Sequence, residues 1–181
     1  MRIIKIIYLL SIINGQVRIG DWRAHTSPLD VKQIIYPENK IIAATGGGLL
    51  VVNDQNYYTL TTVEGLEGVN LQAISYVSDN LILIGGSYPH GFIQMYDLAN
   101  RRSVEVFDFG LSEVLDFQIQ DSLLFALFQD GKDFGLMKFI LNKKWNYSDS
   151  YKNFSPQIGP INCFTIKNSQ IFLGTDSGIW V

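Results

Sequence analysis

Residues 45–52 read TGGGLLVV, three glycines running straight into an apolar stretch. Glycine-rich turns can cradle a phosphate through successive backbone N–H groups. The flanking residues do not supply the rest of that chemistry. A phosphate loop needs a following Lys-Ser/Thr and a dinucleotide fold needs GxGxxG, and ATGGGLLVV has neither. No helical pattern follows that would offer its N-terminus to an anion. The turn therefore reads as a hairpin in which glycine supplies a positive φ, with Gly46 and Gly47 as local slack.

The remaining reactive side chains are sparse. His25 in GDWRAHTSP and His90 in SYPHGF have no Cys or acidic neighbour at metal-ligand spacing and read as surface-loop residues. Ser87 and His90 would be two members of a hydrolytic triad, but no nucleophile elbow marks the serine. The acidic pairs Asp130/Asp133 and Glu64/Glu67 have the residue types of a glycosidase, yet they lie in turns and read as solvating charges. TDSGIW shares Asp, Gly and Trp with the aspartate-box turn of sialidase-like propellers, but it lacks the threonine before the tryptophan and the other turns do not repeat it. No calcium-loop pattern is present. Asn146 in NYS and Asn153 in NFS would accept a glycan only in a eukaryotic secretory pathway. The lone Cys163 sits in the alternating stretch INCFTI, the setting of a buried structural thiol. No catalytic, cofactor-binding or metal-binding residue is assigned on these grounds. Trp22, Arg23 and His25 are a candidate surface contact, against the alternative that Trp22 packs beneath the first repeat.

Composition narrows the classes further. The chain has 181 residues, 47% hydrophobic and 13% aromatic, which suits one domain with a real core. Fourteen Lys and Arg against 17 acids give a mild net charge of −3. Arg101–Arg102 and Lys143–Lys144 are isolated basic pairs, which argues against a nucleic-acid face. MRIIKIIYLLSIINGQ opens with Arg2 and Lys5, runs apolar from Ile6 to Ile13, and ends near the small Gly15. That is the layout of a secretory signal peptide over residues 1–16, against the alternative of a buried N-terminal strand or helix. The run is shorter than the ~20 residues of a membrane-spanning helix.

A repeat organises the rest. Gly48, Gly91, Gly135 and Gly178, each followed by an apolar residue, recur every 43 or 44 residues. Each unit opens with a strand-like segment (VKQIIY, LQAISYV, VLDFQIQ, INCFTIK), turns, and continues with a more apolar one (IIAAT, LILIG, LLFAL, IFLGT). A glycine-containing turn leads to a third segment (LLVVND, FIQMYD, LMKFIL, IWV). In the first three units a wetter fourth closes the set (YYTLTT, SVEVFD, KWNYSD). Four short antiparallel strands in ~40–50 residues make one blade of a β-propeller, with the apolar second segment innermost and the polar fourth outermost. The fold class is all-β: about three four-stranded blades plus part of a fourth over residues 17–181, expected to be a fragment of a larger propeller. A minimal four-bladed ring and a β-sandwich are the alternatives, and a sandwich does not account for the fixed spacing.

The units resemble the two-component-regulator type of propeller repeat, whose core runs I-aa-T-x-x-G-L-x-x-Y-D with a linker G-L-x-x-x-x-I-x-x-I. Here the core is matched by Ala44-Thr45, Gly48-Leu49, Asn53-Asp54, Tyr96-Asp97 and Gly174-Thr175, and the linker by Gly65-Leu66 and Ile74. The third unit departs, since LFQDGKDFGLMKFILN has no Tyr-Asp after its glycine. IGDWRAHTSP directly after a leader resembles the start of PorZ-like proteins, secreted two-propeller accessories of type IX secretion in Bacteroidetes-type bacteria.

That resemblance implies a non-enzymatic module, exported to the periplasm or surface of a Gram-negative bacterium. It would bind protein partners or glycans and be completed by the missing blades of its own full-length protein. No cofactor, nucleic acid or membrane span is expected. The rival is the extracytoplasmic ligand sensor of a hybrid two-component regulator, and a propeller hydrolase is a third, weaker class. The repeat alone makes a direct prediction: strand content far above the ~20–25% of an average domain. A circular dichroism spectrum dominated by helix would refute it.

Overall fold

The computed structural model describes residues 24–181 apart from 55, 143, 153, 156 and 169. Residues 1–16, expected to be a signal peptide, and Trp22 and Arg23 lie outside the described residues. The chain forms four antiparallel sheets in sequence order. Sheet 1 holds β1 (Val31–Ile35), β2 (Lys40–Thr45), β3 (Gly48–Asn53) and β4 (Asn56–Leu60). Sheet 2 holds β5 (Leu71–Ser78), β6 (Leu81–Gly86), β7 (Gly91–Asp97) and β8 (Arg102–Leu111). Sheet 3 holds β9 (Glu113–Gln120), β10 (Leu123–Asp130), β11 (Asp133–Asn142) and β12 (Lys144–Tyr151). Sheet 4 is three-stranded: β13 (Ile161–Lys167), β14 (Gln170–Thr175) and β15 (Gly178–Trp180). This is a partial β-propeller.

Side-chain alternation along each strand gives every sheet two apolar faces, and the sheets stack through them. Ile42, Leu49 and Val51 of sheet 1 meet Ile82, Ile84, Phe92 and Tyr96 of sheet 2. Leu83 and Ile93, on the other face of sheet 2, meet Val114, Leu124, Phe128 and Phe139. Phe125, Leu127 and Leu136 meet Phe164 and Leu173 of sheet 4. The same alternation leaves two faces open. Ile34 (59% exposed), Ile41 and Tyr57 lie on the free side of sheet 1, and Ile179 (79%) on that of sheet 4. Cys163 corrects the expectation of a buried thiol: it is exposed, on the side of sheet 4 that carries Ile179 and not on the one that packs against sheet 3.

The innermost strand is the first of each unit, not the apolar second. β1 lies against β5, β5 against β9, and β9 against β13. The second strands are the most apolar because they are flanked within their own sheet and covered by neighbouring sheets. The inner strands present an edge to the axis and therefore carry polar groups. Gln33 Oε1 accepts from the Ile74 backbone N–H at 2.7 Å. Gln33 Nε2 donates to Asp116 Oδ1 at 3.2 Å, which joins sheets 1, 2 and 3 through one side chain. Asp116 also accepts from the N–H of Phe117 at 2.8 Å and from the Phe164 N–H on sheet 4. Burial pushes the Asp116 pKa above the ordinary carboxylate value, and these hydrogen bonds oppose the shift.

The repeat glycines begin or lie near the start of the third strands. Gly48 has φ 121°, and a Cβ there would lie 2.3 Å from the Leu60 carbonyl oxygen. A Cβ at Gly135 would instead meet the Phe128 ring at 2.3 Å. Gly47 is not slack: its added Cβ would sit 2.2 Å from the Ser27 carbonyl oxygen, because residues 24–30 run across this hairpin. The threonine of the T-x-x-G pattern closes the turn. Thr45 Oγ1 donates to the Gly48 carbonyl at 2.7 Å and accepts from Gly47 N–H at 3.1 Å. Thr175 repeats both bonds with Gly178 and Ser177.

The linker between sheets 1 and 2 is also built. Among the described residues the sole helical piece is a 3-10 turn, Thr62–Glu64, capped by Thr61 and ended by Gly65 at φ 88°. Glu64 is therefore not merely a solvating charge, since its carboxylate accepts from the Thr61 N–H at 2.8 Å. Gln94 donates to the Gly65 carbonyl at 2.8 Å and accepts from the Glu67 N–H at 3.0 Å. Tyr96 donates its hydroxyl to the Glu64 carbonyl at 2.6 Å, and burial pushes its pKa up to about 12. Asp97 accepts from the N–H groups of Ala99 and Asn100, both at 3.0 Å, which closes the next turn.

Two stability outcomes follow. Gly48→Ala combines a positive φ with a backbone clash and is expected to cost more than about 2 kcal/mol, whereas Gly131→Ala, at φ 63° with nothing within 4 Å, should cost about 1 kcal/mol. Urea unfolding of both variants checks the order. For Asp116, a raised folded pKa means that the native chain binds protons more readily than the unfolded one. Its contribution to stability therefore falls as pH rises from the ordinary carboxylate value through the raised one. Asp116→Asn should remove that slope. A difference between wild type and variant that stays flat across pH 3–7 would show that the carboxylate is not so perturbed.

Candidate functional site

The inner strands share one irregularity. In sheet 1, Val31 pairs with Thr45 and Gln33 with Ala44, so Lys32 is an extra residue without a ladder partner. Gln72 is bulged in the same way in sheet 2, Leu115 in sheet 3 and Asn162 in sheet 4. A β-bulge bends its strand and re-aims the side chain it carries. Here all four bulged residues, Lys32, Gln72, Leu115 and Asn162, line a single cavity of about 370 Å³ where the inner strands converge. Gln129, Phe134, Pro160 and Ile161 complete its wall. The chemistry is that of amides and apolar groups with one ammonium, and Lys32 Nζ is already paired with Asp30 Oδ2 at 2.9 Å.

The cavity opens into a second, of about 330 Å³, with which it shares Phe134, Pro160 and Ile161. Lys132, Asp133, Phe154, Ser155 and Gly159 line this second part. The two adjoin at the β10–β11 hairpin and the segment that leads into β13, and together they are termed the trough. Each volume falls within the ~300–1,000 Å³ of ligand clefts.

The sequence-derived candidates lie elsewhere. Gly48, Gly91, Gly135 and Gly178 lie at the hairpins that lead into the third strands. His25 is exposed on the segment before β1. His90 does have an acidic neighbour, which the sequence spacing concealed: its Nε2 lies 3.1 Å from Asp108 Oδ2 on β8, a half-exposed surface pair. Asp133 alone of the proposed acidic pairs reaches the trough, while its partner Asp130 faces it across the hairpin register and lies 3.9 Å from Lys152 Nζ. Among the described residues no three His, Cys, Asp or Glu side chains are grouped to hold a metal ion. No helix among them is long and apolar enough to cross a membrane.

The bulged residues escaped the sequence reading because they share no type. Their signal was in the spacing around them. Val31 and Ile34, Leu71 and Ile74, Val114 and Phe117, and Ile161 and Phe164 are apolar pairs three apart. A period-two strand puts residues three apart on opposite faces, so one extra residue between them is what brings both members of such a pair to the same face. In sheets 2, 3 and 4 both members are buried.

No protein-family model matches the chain, and no curated protein matches it either. Solved structures do. The extracellular domain of the hybrid two-component system BT3049 from B. thetaiotaomicron is 18% identical with a TM-score of 0.63, over 91% of this chain and 24% of that one. The β-propeller domain of Cps50 (Swd1) from Myceliophteria thermophila is 14% identical with a TM-score of 0.62, over 81% and 54%. A chain of the mitotic checkpoint complex is 11% identical with a TM-score of 0.61, over 89% and 50%. The chain thus spans between a quarter and about half the length of these structures, and at such identities the likeness is one of fold: a β-propeller.

Proposed function

We propose that this chain is part of an exported, non-enzymatic β-propeller that binds a protein or glycan, a PorZ-like accessory of type IX secretion and surface attachment. The observation that carries the binding role is the convergence of four bulged side chains on one axial cavity lined by amides and apolar groups. The export role rests on the basic-then-apolar leader and on the stretch IGDWRAHTSP. Further blades of the full-length protein would cover the open apolar faces around Ile34 and Ile179, exposure that a finished sheet edge or face normally avoids. One observation favours a second reading, the sensor of a hybrid two-component regulator: the fold likeness to such an extracellular domain extends over 91% of this chain.

The first of two experiments separates these readings, and the second tests the export that both require. The reading frame beyond Val181 is expected to encode more blades and a second propeller with a small C-terminal β domain. A transmembrane helix followed by a kinase domain would establish the sensor reading instead. Residues 1–16 fused to a reporter that is active only outside the cytoplasm are expected to give activity, and an inactive fusion would overturn export by this leader. Glycosidase turnover by the full-length protein would overturn both binding readings.

A further inference from the structure

We infer that the axial cavity and the cavity adjoining it take an extended peptide segment of a partner protein. This rests on the binding-module reading and assigns its ligand class. An extended peptide presents an N–H and a C=O at every residue, ~3.3 Å apart, and needs partners that both donate and accept. The axial cavity is lined by the amides of Gln72, Gln129 and Asn162. One N–H of each is used within the chain, on Ser87 Oγ at 3.4 Å, the Gly131 carbonyl at 2.8 Å and Asp176 Oδ1 at 2.8 Å, so a peptide would meet the amide oxygens and the second N–H of each. A bulged residue also leaves its ladder position, which frees backbone groups at the same level of the inner strands.

The trough supplies what the alternate side chains of that peptide need. Leu115 and Ile161 are apolar wall near the axis, and Phe134, Pro160 and Phe154 continue it into the second cavity. Charge does not select an anion, because Lys32 is countered by Asp30 at 2.9 Å and Lys132 stands beside Asp133 in the second cavity. The lining fits a sugar less well. No carboxylate lines the axial cavity to take paired hydroxyls, and the aromatic group on its wall, Phe134, has no hydrogen-bonding tip. The two cavities adjoin through Phe134, Pro160 and Ile161, which lengthens the surface that a linear chain could follow.

The test uses the full chain against a phage-displayed random dodecapeptide library and, in parallel, an array of neutral oligosaccharides. Two variants accompany it, Leu115→Arg and the double substitution Gln72→Ala with Asn162→Ala. None of these three side chains is fully buried, and each variant is first shown to keep the wild-type circular dichroism spectrum and unfolding midpoint. Enriched peptides are expected to bind the wild type and to lose about tenfold or more in affinity for both variants, as a cluster of central contacts should. Asn146→Ala, outside both cavities, should bind unchanged. Peptides that bind the variants as well as the wild type, or no enrichment at all, would overturn the assignment. Oligosaccharides that bind the wild type and fail on the variants would also overturn it while leaving the binding module standing. Silence in both arms would remove the binding role of this site altogether.

Discussion

A sheet with two apolar faces needs a neighbour on each, and that requirement shapes this chain. The faces directed toward the following sheet use equivalent register positions: Ile42, Ala44 and Leu49; Leu83, Gly85 and Ile93; Phe125, Leu127 and Leu136. Each fully buried Leu, Ile or Phe among them contributes roughly 1.5–3 kcal/mol, so three stacked interfaces outweigh any single polar feature of the fold. The fourth sheet carries Phe172, Gly174 and Ile179 at those positions. It therefore presents the residue types of an interior interface to the outside. Sheet 1 does the same in the other direction with Ile34, Ile41 and Leu50, the counterparts of Ile74, Ile82 and Gln94.

Stacking sheets around an axis crowds their inner strands, and the polar groups found there follow from that crowding. An inner strand has one edge paired and one edge facing other inner strands, too close for a further ladder and too enclosed to leave N–H groups bare. The residue just after the bulge answers this in two sheets. Gln33 accepts from Ile74, and Asp116 accepts from Phe164, each the second residue after the bulge of the next inner strand. Sheet 2 has Ala73 at that position and makes no such link. Gln33 reaches both onward to sheet 2 and across to Asp116 on sheet 3, so one amide ties together three separately cored sheets.

The blade architecture was legible because it repeats in residue type. Turn chemistry limits the choice to glycine at Gly48, and the threonines at Thr45 and Thr175 must reach back to the same carbonyl position. Such constraints are local and survive in the sequence. Cys163 was misread because alternation alone does not say which face of its sheet has a neighbour. Gly47 was misread because the group that crowds it, the Ser27 backbone, is twenty residues away. The pairing of His90 with Asp108 was hidden for the same reason: it is made across the β7–β8 pairing, not along the chain. The order of strands from the axis outward was also misjudged. The most apolar strand marks the most covered place in a blade, and that is one strand out from the centre.

The axial site was illegible for a more general reason. A bulge is specified by its neighbours: the apolar residues on either side must both reach the packed faces, and the extra residue between them is forced outward. The fold does not hold the side chain of that extra residue to one type: Leu115 packs partly against the core between sheets 3 and 4, whereas Lys32 and Asn162 are exposed. Lys32, Gln72, Leu115 and Asn162 hold equivalent places with four different chemistries. Positions set by the fold but free in residue type are where a repeat protein can acquire a ligand without losing its architecture. In this chain those positions converge on one cavity. The repeat that makes the propeller recognisable is thus uninformative about its ligand, and the four residues that break the repeat are the ones that carry that information.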